Sequence, residues 1–208
     1  FNKPVEATNM LKIYNTDTYL TATEGYIAGK KILTTADLSN LGSGNLLRVC
    51  KYTSPGTYTW TKGAGTKYIK VFVWGAGGGV YRDGSIYFPS GGSSNFGNYV
   101  YAYGGSRYSG GGFSGTGVIG VRGEIPTASY SSSNPYDADP VQPVQYEGSD
   151  YGRGGSMYLA PYYYAVSAGG FATKVIDVTA INSVPVVVGS SYNGGNGAVI
   201  VEEYDGKP

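Results

Sequence analysis

A chain of 208 residues with a single cysteine and no histidine excludes His-based acid/base catalysis, Ser-His-Asp triads, His-ligated zinc and an intrachain disulfide framework. Its 15 basic and 14 acidic side chains leave a formal net charge of +1, which gives no electrostatic case for nucleic acid. It is long enough to bury a core, roughly 70% of its unfolded surface, while its 35 glycines argue against a helix-rich globule.

Residues 1–45 are polar, threonine-rich and poorly periodic. They offer short β-prone pieces between glycines, with too few apolar residues for a core of their own, and read as an extended stalk or linker. Thr34 or Thr35 is placed to cap a helical turn over 34–38, and Leu41–Asn45 reads as a linker. No apolar run is long enough to span a membrane, no signal-peptide plan is present, and the start at Phe1 suggests a processed piece of something longer.

From Leu46 the pattern sharpens. Leu46–Thr53 alternates, Ser54-Pro55-Gly56-Thr57 is a turn, Tyr58–Thr61 is a strand, and Lys67–Trp74 is the longest strand, so these are expected as hairpin-connected antiparallel strands. Ile69, Val71 and Val73 face the core on this reading, and Phe72 and Trp74 need separate cover. Strands return at Phe171–Val178, Val184–Val188 and Ala198–Tyr204, and residues 205–208 are a tail. Three strands on either side of a long insert predict an all-β fold, a small antiparallel β-sandwich over 46–204 with framework 46–79 and 166–204. Cys50, mid-strand, is expected to be a small buried residue.

The sequence Val71-Phe72-Val73-Trp74-Gly75-Ala76-Gly77-Gly78-Gly79, the preceding Ser-Pro-Gly-Thr turn and the closing Val-Pro-Val-Val-Val-Gly and Asn-Gly-Ala-Val-Ile-Val-Glu-Glu-Tyr runs carry a resemblance. Together they resemble the glycine-rich C-terminal tip of contractile-tail phage fibres and related tailocin or prophage fibres, over residues 46–79 and 166–204, and residues 15–39 resemble the segment that precedes such tips. The resemblance implies a homotrimer joined to the rest of a fibre, carried on a virion or an extracellular tailocin particle and made in the bacterial cytoplasm. Its implied partner is a host surface receptor, a lipopolysaccharide glycan or an outer-membrane protein, bound without catalysis, nucleic acid or membrane insertion. A histidine-ligated iron needle, known from some fibre tips, is impossible here, and neither a metal nor a cofactor is expected. Residues 80–165 depart from the nearly pure glycine lattice common in that family.

This insert holds fourteen of the 22 tyrosines, and its only cations are Arg82, Arg107, Arg122 and Arg153. Tyrosine, serine, glycine, asparagine and arginine are the residues from which adaptable binding surfaces are built. The expected receptor-binding residues are Tyr81, Arg82 and Asp83; Tyr99, Tyr101 and Tyr103, whose alternation puts three rings on one strand face; Arg107 and Tyr108; and Tyr136, Asp137 and Asp139. A purely structural role for the tyrosines, packing chains in a trimer, stands beside that reading. The glycines after Trp74 are expected to act as a hinge that launches the insert.

Enzyme signals are weak. Asp137 with Asp139, or Glu147 with Asp150, are candidate glycosidase or calcium carboxylates, but the first pair sits in a proline-bounded loop where solvated acids are the default. The Trp74–Gly79 run follows a strand as a nucleotide loop would, yet no helix pattern follows. A polysaccharide depolymerase and a Gly/Tyr/Arg-rich RNA-binding or structural protein remain the competing classes.

Overall fold

The computed structural model describes residues 44–125, 130–131, 145–146, 149–159 and 162–208. Before them it describes a meander of β1 (Leu11–Lys12), β2 (Tyr19–Leu20), β3 (Glu24–Ile27) and β4 (Lys30–Thr34). The helical turn expected over 34–38 falls outside the described residues apart from Thr34, which ends β4. After β5 (Leu46–Tyr52), β6 (Gly56–Thr61) and β7 (Tyr68–Trp74) come β8 (Tyr81–Asp83), β9 (Ser85–Tyr87), β10 (Ser94–Phe96), β11 (Val100–Ala102), β12 (Phe113–Ser114) and β13 (Ile119–Val121). The chain continues with β14 (Tyr130–Ser131), β15 (Ser156–Leu159), β16 (Tyr162–Ala165), β17 (Phe171–Asp177), β18 (Ser183–Val188) and β19 (Ala198–Tyr204). Among the described residues there is no helix, and the strand pairings are antiparallel.

Two five-stranded sheets form the frame, one ordered β12-β11-β10-β18-β6 and the other β13-β17-β7-β19-β5. They share one core because each strand alternates. Ile69, Val71 and Val73 of β7 and Val199 and Val201 of β19 meet Trp60, Phe96, Val100, Val184 and Val186 of the facing sheet, all buried. Trp60 packs edge-on to Phe96 with ring centroids 5.7 Å apart. The cover expected for Phe72 and Trp74 is present: on the outer face they join Phe171, Ala198 and Ile200 in a second cluster, roofed by Tyr146 and Tyr151. The Tyr151 and Tyr146 rings lie 5.6 and 6.1 Å from Trp74.

Two expectations are corrected. β5, β6 and β7 are not successive hairpins: β5 pairs with β19 and β6 with β18, so the chain crosses between sheets at each turn. The reason is that both edges of β7 are taken over its full length by β17 and β19, while Trp60 must face across the core. The insert is also not separate from the frame, because its β10–β13 belong to the two sheets and Phe96, Val100 and Ala102 lie in the core.

The glycines do not form a hinge. Gly75 and Gly78 donate to Gly170 and Ser167 of one neighbouring segment, Ala76 and Gly79 to Gly92 and Pro89 of a second, and Gly77 to Gly195 of a third. Val166 and Gly169 likewise donate to Gly155 and Gly152, Ser167 and Gly170 to Ser106 and Tyr103, and Ala168 to Glu124. A donor that returns to the same neighbour at every third residue marks an extended helix of roughly three residues per turn with no internal hydrogen bonds. Side-by-side packing of such segments, antiparallel in each of these pairs and backbone on backbone, makes a lattice that satisfies buried amides without any sheet. Glycine is required because the segments touch: a methyl group on Gly77 would collide with the Arg153 carbonyl, and one on Gly169 with that of Gly75.

The lattice extends the sandwich at one end. β7 runs into 75–79, β11 into 103–106, β13 into 122–124 and β18 into 189–191, while 89–92, 109–112, 166–170 and 194–197 feed β10, β12, β17 and β19. Loops 80–88, 107–108 and 192–193 turn beyond the lattice. At the opposite end, the base, Asn45 donates from its backbone and side-chain nitrogens to Asp205 at 2.9 and 3.1 Å, so the chain enters and leaves the frame together.

The base also holds a fully buried carboxylate, Glu203. Its Oε1 accepts from Trp60 Nε1 at 2.8 Å and from the Arg48 guanidinium, and its Oε2 accepts from Thr66 Oγ1 at 2.7 Å and the Gly63 N–H at 3.1 Å. Burial pushes this carboxyl up, but hydrogen bonds from Arg48, Thr66 and Trp60 outweigh it and hold it below the usual carboxylate range. Cys50 is half-buried beside it.

Candidate functional site

The far end of the lattice gathers exposed rings around two anchored loops. Val80 leaves the lattice buried, with its N–H donating to Asn193 Oδ1 at 2.8 Å and its carbonyl accepting from Asn193 Nδ2. One asparagine thus fixes the root of the β8–β9 hairpin to the turn that carries Tyr192. At the hairpin tip Gly84 takes φ 69°, a left-handed value that lets the strands reverse in one residue. Tyr81 and Tyr87 are cross-strand partners whose rings stack at 5.0 Å, and Tyr192 closes on Tyr81 at 4.5 Å. Arg82 and Asp83 are exposed on the same hairpin.

The second loop carries Arg107 and Tyr108. It is pinched at its neck, where the Ser106 N–H donates to the Ser109 carbonyl at 2.9 Å, and Ser106 in turn accepts from the Ser167 N–H of the lattice. The Arg107 guanidinium lies 3.8 Å above the Phe88 ring and 4.7 Å from the Tyr108 ring centroid. Phe88 follows Tyr87 in the chain, and Tyr164 flanks it at 6.0 Å. The expected pairs Tyr81/Arg82/Asp83 and Arg107/Tyr108 are therefore brought onto one end of the molecule, linked through Tyr87 and Phe88. Tyr108 and Tyr192 are the most exposed rings there, at 67% and 68%.

Electrostatically, Arg107 is unusual. Its Nε is buried and has no hydrogen-bond partner, and among the described residues the guanidinium makes no ion pair. Aromatic faces hold this cation in place and leave its Nε–H without an acceptor.

The other expected residues lie elsewhere. Tyr101 sits in β11 on the face opposite Val100 and Ala102, as alternation requires, and its hydroxyl donates to Asn98 Oδ1 at 3.2 Å. Tyr99 packs against the core beside Phe96, and the Tyr103 hydroxyl lies 2.9 Å from Ser114 Oγ. The three rings do not share a face: Tyr99 turns toward the core, Tyr101 away from it, and Tyr103 begins a lattice segment. Tyr136, Asp137 and Asp139 lie outside the described residues, as does Glu147.

Phe88, Tyr164, Tyr192 and Asn193 belong to the loop-end cluster without having been singled out by pattern. Tyr192 and Asn193 sit in the turn-forming run Ser190–Gly197, where ring and amide flanked by glycine were a usable signal. A shallow polar cleft of about 390 Å³ runs beside the lattice, lined by Thr53, Asp150, Tyr151, Arg153 and Asn193–Asn196. Asp150 and Arg153 face each other there at 3.9 Å. Among the described residues no cluster of three or more Cys, Asp or Glu side chains is arranged to hold a metal ion.

No protein-family model matches the chain, and neither the curated proteins nor the solved structures yield a match.

Proposed function

We propose that the chain is the receptor-binding tip of a contractile-tail phage or tailocin fibre, which adsorbs to a bacterial surface glycan through its loop end and does not cleave it. One observation carries this reading. The chain enters the frame at the base, through Asn45, and the exposed rings of Tyr87, Tyr108 and Tyr192, with half-buried Tyr81 and Arg107, stand at the opposite end, beyond a hydrogen-bonded lattice.

A body with its attachment at one end and aromatic and guanidinium groups at the other suits contact with a surface. Sugar C–H faces pack on tyrosine rings, and phosphates or carboxylates pair with arginine. The resemblance of residues 46–79 and 166–204 to glycine-rich fibre tips supports the same assignment. Residues 1–45 form the connection to the rest of the fibre, and the chain assembles as a homotrimer. β5 supports self-association: it is an edge strand whose outward face exposes Leu47 and Val49.

The test is binding of the purified protein to an immobilised panel of lipopolysaccharides, with chromatography of the supernatant. Saturable binding to a subset of the panel with no released oligosaccharide is expected. Absence of binding throughout the panel, or sustained oligosaccharide release, overturns the reading.

A further inference from the structure

We infer that Arg107 is an oxyanion-binding residue, and that the group it takes is the phosphate of a phosphorylated sugar. The inference rests on the glycan-binding reading and specifies the part of the glycan that this loop recognises.

A partly buried arginine ordinarily has its donors paired. Five N–H donors in a planar fork are paired with carboxylates, carbonyls or water, because a buried donor left unpaired costs about 1–3 kcal/mol. Arg107 departs from this at one donor: its Nε is buried without a partner, and among the described residues no carboxylate pairs with the half-exposed guanidinium. Placement is nonetheless tight. The guanidinium rests 3.8 Å over Phe88 and 4.7 Å from Tyr108, and its loop is pinned across its neck from Ser106 to Ser109 and onto the lattice at Ser167.

A cation held by rings, with no acid paired to it among the described residues, has paid its ordering cost before any ligand arrives. The missing partner must be planar or tetrahedral, anionic and able to accept two parallel N–H bonds, which describes a phosphate or a carboxylate. Phosphate is favoured because it offers more acceptor oxygens than a carboxylate to the open part of the fork, beside the exposed Tyr108 ring. The neighbouring tyrosines then contact the sugar that carries it.

The buried Nε–H gives the experiment its readout. In ¹H–¹⁵N spectra of the full chain, the Arg107 Nε–H resonance is assigned by its loss in Arg107→Lys and followed during titration with glucose 1-phosphate, glucuronate, inorganic phosphate and glucose. The inference predicts a saturable shift with glucose 1-phosphate, weaker binding of inorganic phosphate and glucuronate, no shift with glucose, and about tenfold weaker glucose 1-phosphate binding in Arg107→Lys, where the fork is lost but the charge kept. A larger response to glucuronate than to glucose 1-phosphate overturns the choice of phosphate. No response to any anion overturns the site itself. Both results are independent of whether the protein binds lipopolysaccharide, since panel binding with a silent Arg107 would leave the receptor-binding reading standing and remove only this one.

Discussion

Trp60 and Glu203 meet at the base of the sandwich, the indole N–H donating to the buried carboxylate at 2.8 Å. The two residues come from opposite sheets, and their bond ties the layers together at the end farthest from the loops. Arg48, Thr66 and the Gly63 N–H complete the carboxylate's shell.

That shell predicts acid sensitivity. The folded carboxyl is held below its ordinary value, so its contribution is present above the unfolded glutamate range near about 4.3 and is lost as pH falls through the folded value. Glu203→Gln should cost about 2 kcal/mol at neutral pH, as expected for hydrogen bonds to a charged group. Below about pH 4 its stability should fall less steeply than that of the wild type. Urea unfolding as a function of pH checks both.

The lattice predicts a sharp contrast between glycines. Gly77→Ala drives a methyl group into the Arg153 carbonyl, and the cost should exceed about 3 kcal/mol or prevent folding. Gly84→Ala meets nothing within 4 Å and is strained only by its φ of 69°, so about 1 kcal/mol is expected. Thermal unfolding of the two variants should separate them clearly.

The Trp74 face predicts a spectroscopic effect. Tyr151→Ala uncovers one side of an indole that is now buried, and should shift part of the tryptophan emission to the red while costing about 2 kcal/mol. Trp60, in the other cluster, should be unaffected.

The proposed trimer predicts a mutation that separates assembly from folding. Leu47 and Val49 are 45% and 37% exposed on β5, so Leu47→Glu with Val49→Glu should leave the fold intact while dissociating the trimer in sedimentation velocity. A wild-type chain that sediments as a monomer would remove the trimer from the account.

Much of the frame was legible in the sequence because its strands obey period two. Ile69, Val71 and Val73 fall on the core side as alternation requires, and Phe72 and Trp74 on a second apolar face. The same rule identifies Glu203 as core-facing, since it shares a face with Val199 and Val201; its charge hid this, because a buried glutamate is intelligible only once Arg48 and Trp60 are seen beside it. Pairing was not legible: β5, β6 and β7 are adjacent in sequence, but their partners come from the last third of the chain, and local turn residues say nothing about competition for an edge. The lattice was hidden for a related reason. Its repeat is set by hydrogen bonds between distant segments, whereas glycine composition alone fits a hinge, a linker or a packed array equally well.

Of the candidate site, the Tyr81 and Arg107 loops were legible because ring, charge and turn residues adjoin. That they share one end with Tyr192 depends on how the lattice returns the chain. The Tyr99–Tyr103 alternation did not make one strand face: only Tyr101 lies in β11, while Tyr99 falls in the preceding turn and packs on the core, a bend that period two does not reveal.

The most direct test of the central claim is adsorption of the purified protein to whole cells of a bacterium whose lipopolysaccharide it binds, comparing the wild type with Arg107→Ala/Tyr108→Ala under matched conditions. The account predicts that the double variant keeps the wild-type unfolding curve and sedimentation and loses adsorption by at least about tenfold. Undiminished adsorption of a folded double variant would contradict it.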